Sequence, residues 1–314
     1  MQTSSEKINY EKIWDEFNKN ISSLENIITF SDLNKYPKYQ KFIINNLNFF
    51  LNNQEERCIN NFTKSLNYPE IIDFYLEIYL KLLFLFIKNK QKDTEESKII
   101  FGIGTGRSGS TTLTHLLNIQ KNTFTFHEHP PGVPWFNGEN IVKFHMKRFN
   151  LLLNSYSSVA DVAHWWLPYA ENIIKENPNS FFLCMKRDKI QTVNSFLKIK
   201  GNGQKGSINH WIKHDGKFWS KNIWDETYPK FKVDYIQEAV GEYWEYYYSK
   251  SDEIEKKYPK NFKIFDIDEL STEQGQLNIL NFCNYKHPIT ALNIKKNVGT
   301  VKEGRSFYKL KNEN

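Results

Sequence analysis

The spacing of hydrophobic residues changes near residue 97 and divides the chain into two regions. Residues 1–97 contain no glycine, and their apolar positions recur at steps of three and four, as in the segment 42–51. That spacing predicts helices, and the polar, charged segment 90–97 is typical of a linker. We therefore predict a helical N-terminal region over residues 1–97 and a separate domain over residues 98–314.

Beyond the linker, short apolar runs alternate with segments of helical character. Four runs have the composition of buried strands, namely 98–103, 123–126, 181–185 and 262–267. Helices are predicted between and after them, at 113–117, 169–176, 190–197, 239–258 and 276–282. Strands that alternate with helices form parallel sheets covered on both faces. The pattern therefore predicts an α/β fold with a three-layer parallel sheet.

The overall composition limits the class of protein. The chain has 314 residues, of which 39% are hydrophobic and 16% aromatic, so a sizeable core is expected and a wholly disordered protein is excluded. The formal net charge is +6, and the basic residues are spread along the chain. Nucleic-acid-binding proteins concentrate their basic residues in a tail or patch, so we expect no nucleic-acid partner. A modest positive excess suits a small anionic ligand.

The cysteines and the apolar stretches indicate where in the cell the protein is expected and whether it spans a membrane. The three cysteines, Cys58, Cys184 and Cys283, are odd in number and far apart, so we expect no disulfide framework and a reducing, cytoplasmic environment. The first residues lack the apolar core of a signal peptide. Charged residues interrupt the most apolar stretch, 71–87, whereas a membrane-spanning helix needs about 20 apolar residues. We therefore expect a soluble protein without a membrane span.

The segment 104–113 combines glycines, hydroxyl groups and an arginine between a predicted strand and a predicted helix. Its three glycines permit a tight turn in which backbone N–H groups converge on one point. The start of the following helix adds partial positive charge, and Arg107 adds a guanidinium suited to phosphate. These features predict a P-loop-like phosphate-binding loop that includes Arg107, Ser108, Gly109, Ser110, Thr111 and Thr112.

The loop pattern alone leaves the phosphate compound open. A Walker A loop needs a lysine after its last glycine, and Ser110 stands at that position. The dinucleotide pattern G-x-G-x-x-G is present as Gly104, Gly106 and Gly109, with Glu128 near the place of a ribose-binding acid. A nucleotide-dependent oxidoreductase or a kinase is therefore the alternative function. A non-catalytic nucleotide-binding protein is the other alternative.

Two motifs, the segment 107–111 and the pair of Arg187 and Ser195, resemble those of the sulfotransferases that use 3′-phosphoadenosine 5′-phosphosulfate (PAPS). The loop and its spacing from Glu128 are most similar to those of the tyrosylprotein and bacterial-type members. The segment 107–111, Arg-Ser-Gly-Ser-Thr, is similar to the loop that binds the 5′-phosphosulfate in that family. Arg187 follows a predicted strand and Ser195 stands eight residues later, as in the family's 3′-phosphate motif. Two of the five arginines of the chain thus stand where the family grips its nucleotide.

The resemblance covers roughly residues 98–300 and implies both a fold and a reaction. It implies a three-layer α/β enzyme that moves a sulfuryl group from PAPS to a hydroxyl or amine by in-line transfer, without a metal. The acceptor it implies is a small molecule, a carbohydrate or a peptide. Lys189 stands where the family often has proline, and the segment 295–299 is the nearest counterpart of its basic 3′-phosphate element.

The resemblance also implies catalytic roles. Arg107 would stabilise the charge of the transferring group, and Glu128 would take the proton from the acceptor. Cytosolic members of the family use a histidine as the base, which keeps His127 and His129 as candidates. These two histidines lack a third ligand nearby in the sequence, so we predict no metal site.

Two groups of residues near these motifs have less specific patterns. Asp161 and His164 precede a pair of tryptophans, and we expect them to cap a helix or to pack at its start, with orientation of the acceptor as the alternative. An aromatic stretch between 211 and 231 either shapes an acceptor pocket, packs in the core or forms a partner-binding surface; it includes Trp211, Trp219, Trp224, Tyr228 and Phe231.

Overall fold

Five parallel strands form the sheet around which the described part of the chain is built. The computed structural model describes residues 96–129, 131–200, 209–212 and 224–291. The strands are β1 (Lys98–Ile103), β2 (Thr123–His127), β3 (Ser158–Val162), β4 (Ser180–Lys186) and β5 (Phe262–Asp266). Their order across the sheet is β2-β3-β1-β4-β5, and every neighbouring pair is parallel. The predicted α/β class with a parallel sheet is therefore confirmed.

Six α-helices occur in these ranges of the chain. They are α1 (Ser110–Asn118), α2 (Glu139–Leu152), α3 (Ala170–Glu176), α4 (Lys189–Lys200), α5 (Ile236–Lys257) and α6 (Glu273–Phe282). Short 3₁₀ helices cover His164–Tyr169, Asp225–Thr227 and Ile267–Ser271. The five helices predicted beyond the linker are present, with somewhat different ends.

Helices pack on both faces of the sheet. Neighbouring residues of a strand point to opposite faces, and Ile100 and Phe101 of β1 show this division. Ile100 belongs to a buried cluster with Leu117 of α1 and Ile279 of α6. The ring of Phe101 instead lies 5.9 Å from the ring of Phe149 in α2. The sheet is thus a central layer between two helical layers.

The sequence pattern does not predict β3 or α2. Serine and aspartate interrupt the apolar character of β3, although all five of its residues are buried. The inner face of α2 buries His145 and Arg148 together with Phe144 and Phe149, so its polar residues do not mark the exposed side. Both elements bury polar groups, and this hides the hydrophobic periodicity on which the prediction depends.

Several predictions fall on residues outside the described part of the chain. These are the helical region before residue 96, Cys58, Trp219 and the basic segment 295–299. Within the described ranges, Cys184 and Cys283 are buried thiols rather than disulfide partners. None of the helices in those ranges has an apolar stretch that could span a lipid bilayer. The cytoplasmic location stays a prediction.

The order of the strands places a crossover at β1. The chain leaves β1 towards β2 on one side of the sheet, and from β3 it crosses to β4 on the other side. In open parallel sheets, ligands bind outside the carboxyl ends of the strands at such a point. The loop that begins with Gly104 follows β1 directly and therefore lies at this position.

Candidate functional site

The loop after β1 depends on glycine at its two ends. A Cβ atom at Gly104 would lie 2.4 Å from Ser108 Oγ and 2.7 Å from the backbone oxygen of Met185. Gly109 has a φ of 89°, in the left-handed region, and a Cβ there would lie 2.9 Å from Leu270 Cδ1. Side chains larger than hydrogen would therefore displace the loop at both positions.

The start of α1 is directed to the same edge of the sheet. Gly109 precedes the helix, no side chain caps it, and its first turn carries no acidic residue. The first backbone hydrogen bond of the helix runs from Leu113 N–H to the Gly109 oxygen at 2.9 Å. The N–H groups before Leu113 have no acceptor within the helix, and the helix dipole adds positive charge there. This arrangement suits an anion.

The loop is in contact with the second predicted motif, which lies 80 residues later in the chain. Arg187, directly after β4, donates a hydrogen bond from Nη1 to the backbone oxygen of Arg107 at 3.1 Å. Arg107 donates from Nε to Oγ of Ser195, on α4, at 3.0 Å. The structure thus brings together Arg107, Arg187 and Ser195, the residues of both predicted nucleotide motifs.

The guanidinium groups of Arg107 and Arg187 give this part of the site a positive charge. Among the described residues, no carboxylate lies at ion-pair distance from Arg107 or Arg187. Burial and the charge of Arg187 lower the pKa of Arg107, and the charge of Glu128 opposes them. Because like charges in a half-buried position repel each other, an anion bound here would relieve the repulsion.

Arg107 and Glu128 share an uncommon backbone conformation. Five non-glycine residues of the described chain have positive φ, and three of them are asparagines, which tolerate this region. The other two are Arg107, with a φ of 58°, and Glu128, with a φ of 49°. Such strain costs about 1–3 kcal/mol per residue and collects at functional sites. It occurs here at the two residues expected to stabilise charge and to accept a proton.

Glu128 lies directly after β2, across a narrow crevice from the loop. Its backbone N–H donates to the oxygen of Val162 at 3.0 Å, which fixes the turn to the end of β3. Gly104, Ser110, Glu128 and His164 are among the residues that line the crevice, which encloses about 10 Å³, the space of about one water molecule. A phosphate held by the loop would therefore lie at the mouth of this crevice, near Glu128.

The two histidines beside Glu128 have different environments. His127 Nε2 lies 3.2 Å from Ser110 Oγ at the start of α1. His129 is 5% exposed, and its ring lies 4.8 Å from the ring of Phe126. Burial and the charge of Arg148 lower the pKa of His129 well below its usual value. The structure therefore places His127 and Glu128 beside the loop and His129 in the core, so His129 is a poor candidate for the base.

A buried charged group supports the turn that carries Glu128. Arg148 of α2 is fully buried, and its guanidinium carbon lies 4.1 Å from the ring centroid of Phe126. Burial raises the pKa of Asp161 to about 7, while the charge of Arg148 and a backbone hydrogen bond from His129 oppose that rise. Asp161 and Arg148 thus contact residues on both sides of Glu128, the backbone of His129 and the ring of Phe126.

Asp161 and His164 pack against the short helix that follows β3. Asp161 Oδ2 accepts a hydrogen bond from Trp166 Nε1 at 3.1 Å. His164 Nε2 lies 3.0 Å from Thr227 Oγ1, and its ring stacks on Tyr228 at 4.1 Å. No side chain caps this helix, so of the two expected roles the structure shows packing rather than capping. Because His164 also lines the crevice, a role in orienting an acceptor stays open.

Tyr247 of α5 holds the loop in place. Its hydroxyl accepts a hydrogen bond from the Gly104 N–H at 3.1 Å and donates to the His164 oxygen at 2.9 Å. Tyr248 donates to the Met185 oxygen at 2.7 Å. The sequence does not reveal these contacts, because the aromatic run in this segment predicts only a core helix.

Two of the four aromatic residues described between 211 and 231 are buried in the packing. Trp211 is fully buried and Tyr228 is 7% exposed. The ring of Tyr228 is stacked between those of His164, at 4.1 Å, and His210, at 5.3 Å. The structure thus favours core packing over a pocket wall for Trp211 and Tyr228.

Comparisons with known proteins add no functional label to this site. No protein-family model matches the chain, and no curated protein matches it. In the part of the chain that the structure describes, no group of three or more histidine, cysteine, aspartate or glutamate side chains could hold a metal ion. A functional conclusion therefore depends on the geometry of the residues.

Proposed function

We propose that this protein transfers a sulfuryl group from PAPS to a hydroxyl or amine acceptor. The observation that carries the proposal is the meeting of two separate phosphate motifs, in which Arg107 bonds to Ser195 and receives a bond from Arg187. A nucleotide with phosphate at one end only would engage one motif. PAPS carries a phosphosulfate at its 5′ end and a phosphate at its 3′ position, so it can engage both.

The proposed binding mode divides the site between the two ends of the nucleotide. The P-loop-like loop, the hydroxyls of Ser110 and Thr111 and the start of α1 would hold the 5′-phosphosulfate. Arg187 and Ser195 would hold the 3′-phosphate. Arg107, itself part of the loop, contacts both Ser195 and Arg187 and so joins the two sets. An adenosine with phosphate at both positions thus matches the distribution of positive charge.

The proposed reaction uses Glu128 and Arg107 on opposite sides of the transferring group. The acceptor oxygen or nitrogen bonds to sulfur while the bond from sulfur to the bridging phosphate oxygen breaks. The acceptor proton passes to the Glu128 carboxylate, with His127 as the other candidate base. The leaving oxygen gains negative charge, which Arg107 stabilises. The products are the sulfated acceptor and adenosine 3′,5′-bisphosphate.

Transfer of radiolabel from PAPS tests this function. The full chain would be incubated with sulfur-labelled PAPS and pools of small phenols, carbohydrates and peptides. We expect label on at least one acceptor class, with one adenosine 3′,5′-bisphosphate released per transfer. Binding of the bisphosphate without any transfer would indicate a non-catalytic nucleotide-binding protein. Hydride exchange with NAD or phosphoryl transfer from ATP would support the oxidoreductase or kinase alternative instead.

Ser195→Ala is expected to weaken binding of adenosine 3′,5′-bisphosphate by about tenfold, the cost of losing one hydrogen bond to a charged group. Adenosine 5′-monophosphate should lose less, because it lacks the 3′-phosphate. Isothermal titration calorimetry of both nucleotides measures the difference. Asn194→Ala, an exposed change on the same helix, is the matched control. Equal losses for the two nucleotides would contradict the assignment of Ser195 to the 3′-phosphate.

A further inference from the structure

A second cavity lies beside Trp135, apart from the crevice at the loop. It has a volume of about 320 Å³, at the lower end of the range for ligand pockets. Aromatic side chains form much of its wall: Trp135, Phe136, Tyr169 and Tyr246. The polar residues Asn137, Glu139, Asn172 and Lys250 also line it. The proposed sulfuryl transfer uses none of these residues.

Hydrogen bonds fix the wall of this cavity. The Tyr169 hydroxyl accepts from the Gly138 N–H at 2.8 Å and donates to the backbone oxygen of Pro134. The backbone N–H of Trp135 donates to the backbone oxygen of Glu226 at 2.6 Å, and Trp135 is 2% exposed. The cavity is therefore formed before any ligand arrives.

Two aromatic residues on the wall are about half exposed. Phe136 is 52% exposed and Tyr246 is 47% exposed. Tyr243 and Tyr247, which share α5 with Tyr246, are fully buried. Exposed aromatic surface beside a cavity is a common mark of a ligand site, because burial of that surface by a ligand is favourable.

The polar side chains determine the kind of ligand. Asn137, Asn172 and Glu139 offer hydrogen-bond donors and acceptors, which an entirely apolar ligand would cover without satisfying. Lys250 is already paired with Glu171 at 3.5 Å and with Glu253 at 3.2 Å, so it does not favour an added anion. A neutral ligand with an apolar face and several hydroxyl groups meets both requirements.

We propose that this cavity binds a neutral carbohydrate. Phe136 and Tyr246 would contact the C–H face of a sugar ring, and Asn137, Glu139 and Asn172 would bond its hydroxyls. The volume of about 320 Å³ accommodates one or two sugar rings. The site goes beyond the proposed sulfuryl transfer and does not depend on a bound nucleotide.

Saturation-transfer NMR on the full chain tests this site. The probes are the methyl glycosides of glucose, galactose, mannose and N-acetylglucosamine. We expect saturation transfer to at least one glycoside, and a dissociation constant raised about fivefold or more, on the order of 1 kcal/mol, in Phe136→Ala and in Tyr246→Ala. Tyr235→Ala, which removes an aromatic ring that is 69% exposed and does not line the cavity, is the matched control and should bind as the unmodified chain does.

Three results would overturn the carbohydrate proposal. They are absence of transfer to all four glycosides, equal transfer in the unmodified chain and both aromatic variants, and binding of 4-ethylphenol without binding of any glycoside. Asn172→Ala changes an exposed rim residue without touching the aromatic packing, and it should also weaken glycoside binding. Saturating adenosine 3′,5′-bisphosphate should leave the glycoside signal unchanged, which separates this site from the nucleotide site.

Discussion

Arg107→Ala is expected to lower the turnover of PAPS by about 10²–10³-fold, the loss that follows removal of a preorganised charge-stabilising group. The side chain is held by its bond to Ser195 at 3.0 Å, and its backbone is held by Arg187 at 3.1 Å. Its charge is therefore in position before the leaving oxygen becomes negative. Initial rates of adenosine 3′,5′-bisphosphate release, measured at saturating PAPS and acceptor, give the change in kcat.

Arg107→Lys is the matched variant for this prediction. Lysine keeps the positive charge but lacks the planar fork that reaches two partners, so we expect a rate between those of the unmodified chain and Arg107→Ala. Thermal melting of both variants checks that the loop still folds. A kcat unchanged in Arg107→Ala would remove this residue from the mechanism.

Glu128→Gln is expected to lower kcat by about 10²–10⁴-fold, because glutamine keeps the shape of the side chain but cannot accept the acceptor's proton. The affinity for adenosine 3′,5′-bisphosphate should change by about threefold at most, since Glu128 lies across the crevice from the loop and outside the arginine contacts. Steady-state rates and calorimetry on the same preparation separate the two effects.

His127→Ala distinguishes the two candidate bases. His127 contacts Ser110 at 3.2 Å, so its loss should mainly weaken nucleotide binding at the loop. A large fall in kcat for His127→Ala with a normal rate for Glu128→Gln would transfer the role of base to His127. Normal rates in both variants would exclude both residues.

Local features of the site are visible in the sequence. The three glycines, the hydroxyl residues and Arg107 are close together in the chain, so the turn and the following helix can be predicted from short-range preferences alone. The helix that carries Ser195 is also predicted, because its periodicity is local. The contact between Arg107 and Ser195 depends on the resemblance for its prediction, since nothing local links residues 88 positions apart.

Other features depend on long-range packing and cannot be predicted from the sequence pattern. β3 lies between β1 and β2, yet its serine and aspartate interrupt the apolar pattern from which a strand would be predicted. Tyr247 meets Gly104 across 143 residues. His129 is buried directly after the end of β2, where Glu128 has a positive φ. Such turns and contacts are set by the assembled fold rather than by residue spacing.

Calorimetric titration with adenosine 3′,5′-bisphosphate tests most directly whether Arg107, Arg187 and Ser195 form one clamp for a doubly phosphorylated adenosine. We expect one bisphosphate per chain, bound about tenfold or more tightly than adenosine 5′-monophosphate, ATP or NAD, on the order of 1.4 kcal/mol. Arg187→Ala should remove most of that preference while leaving binding of the monophosphate. Equal affinities for the bisphosphate and the monophosphate, or tighter binding of ATP or NAD, would contradict the clamp.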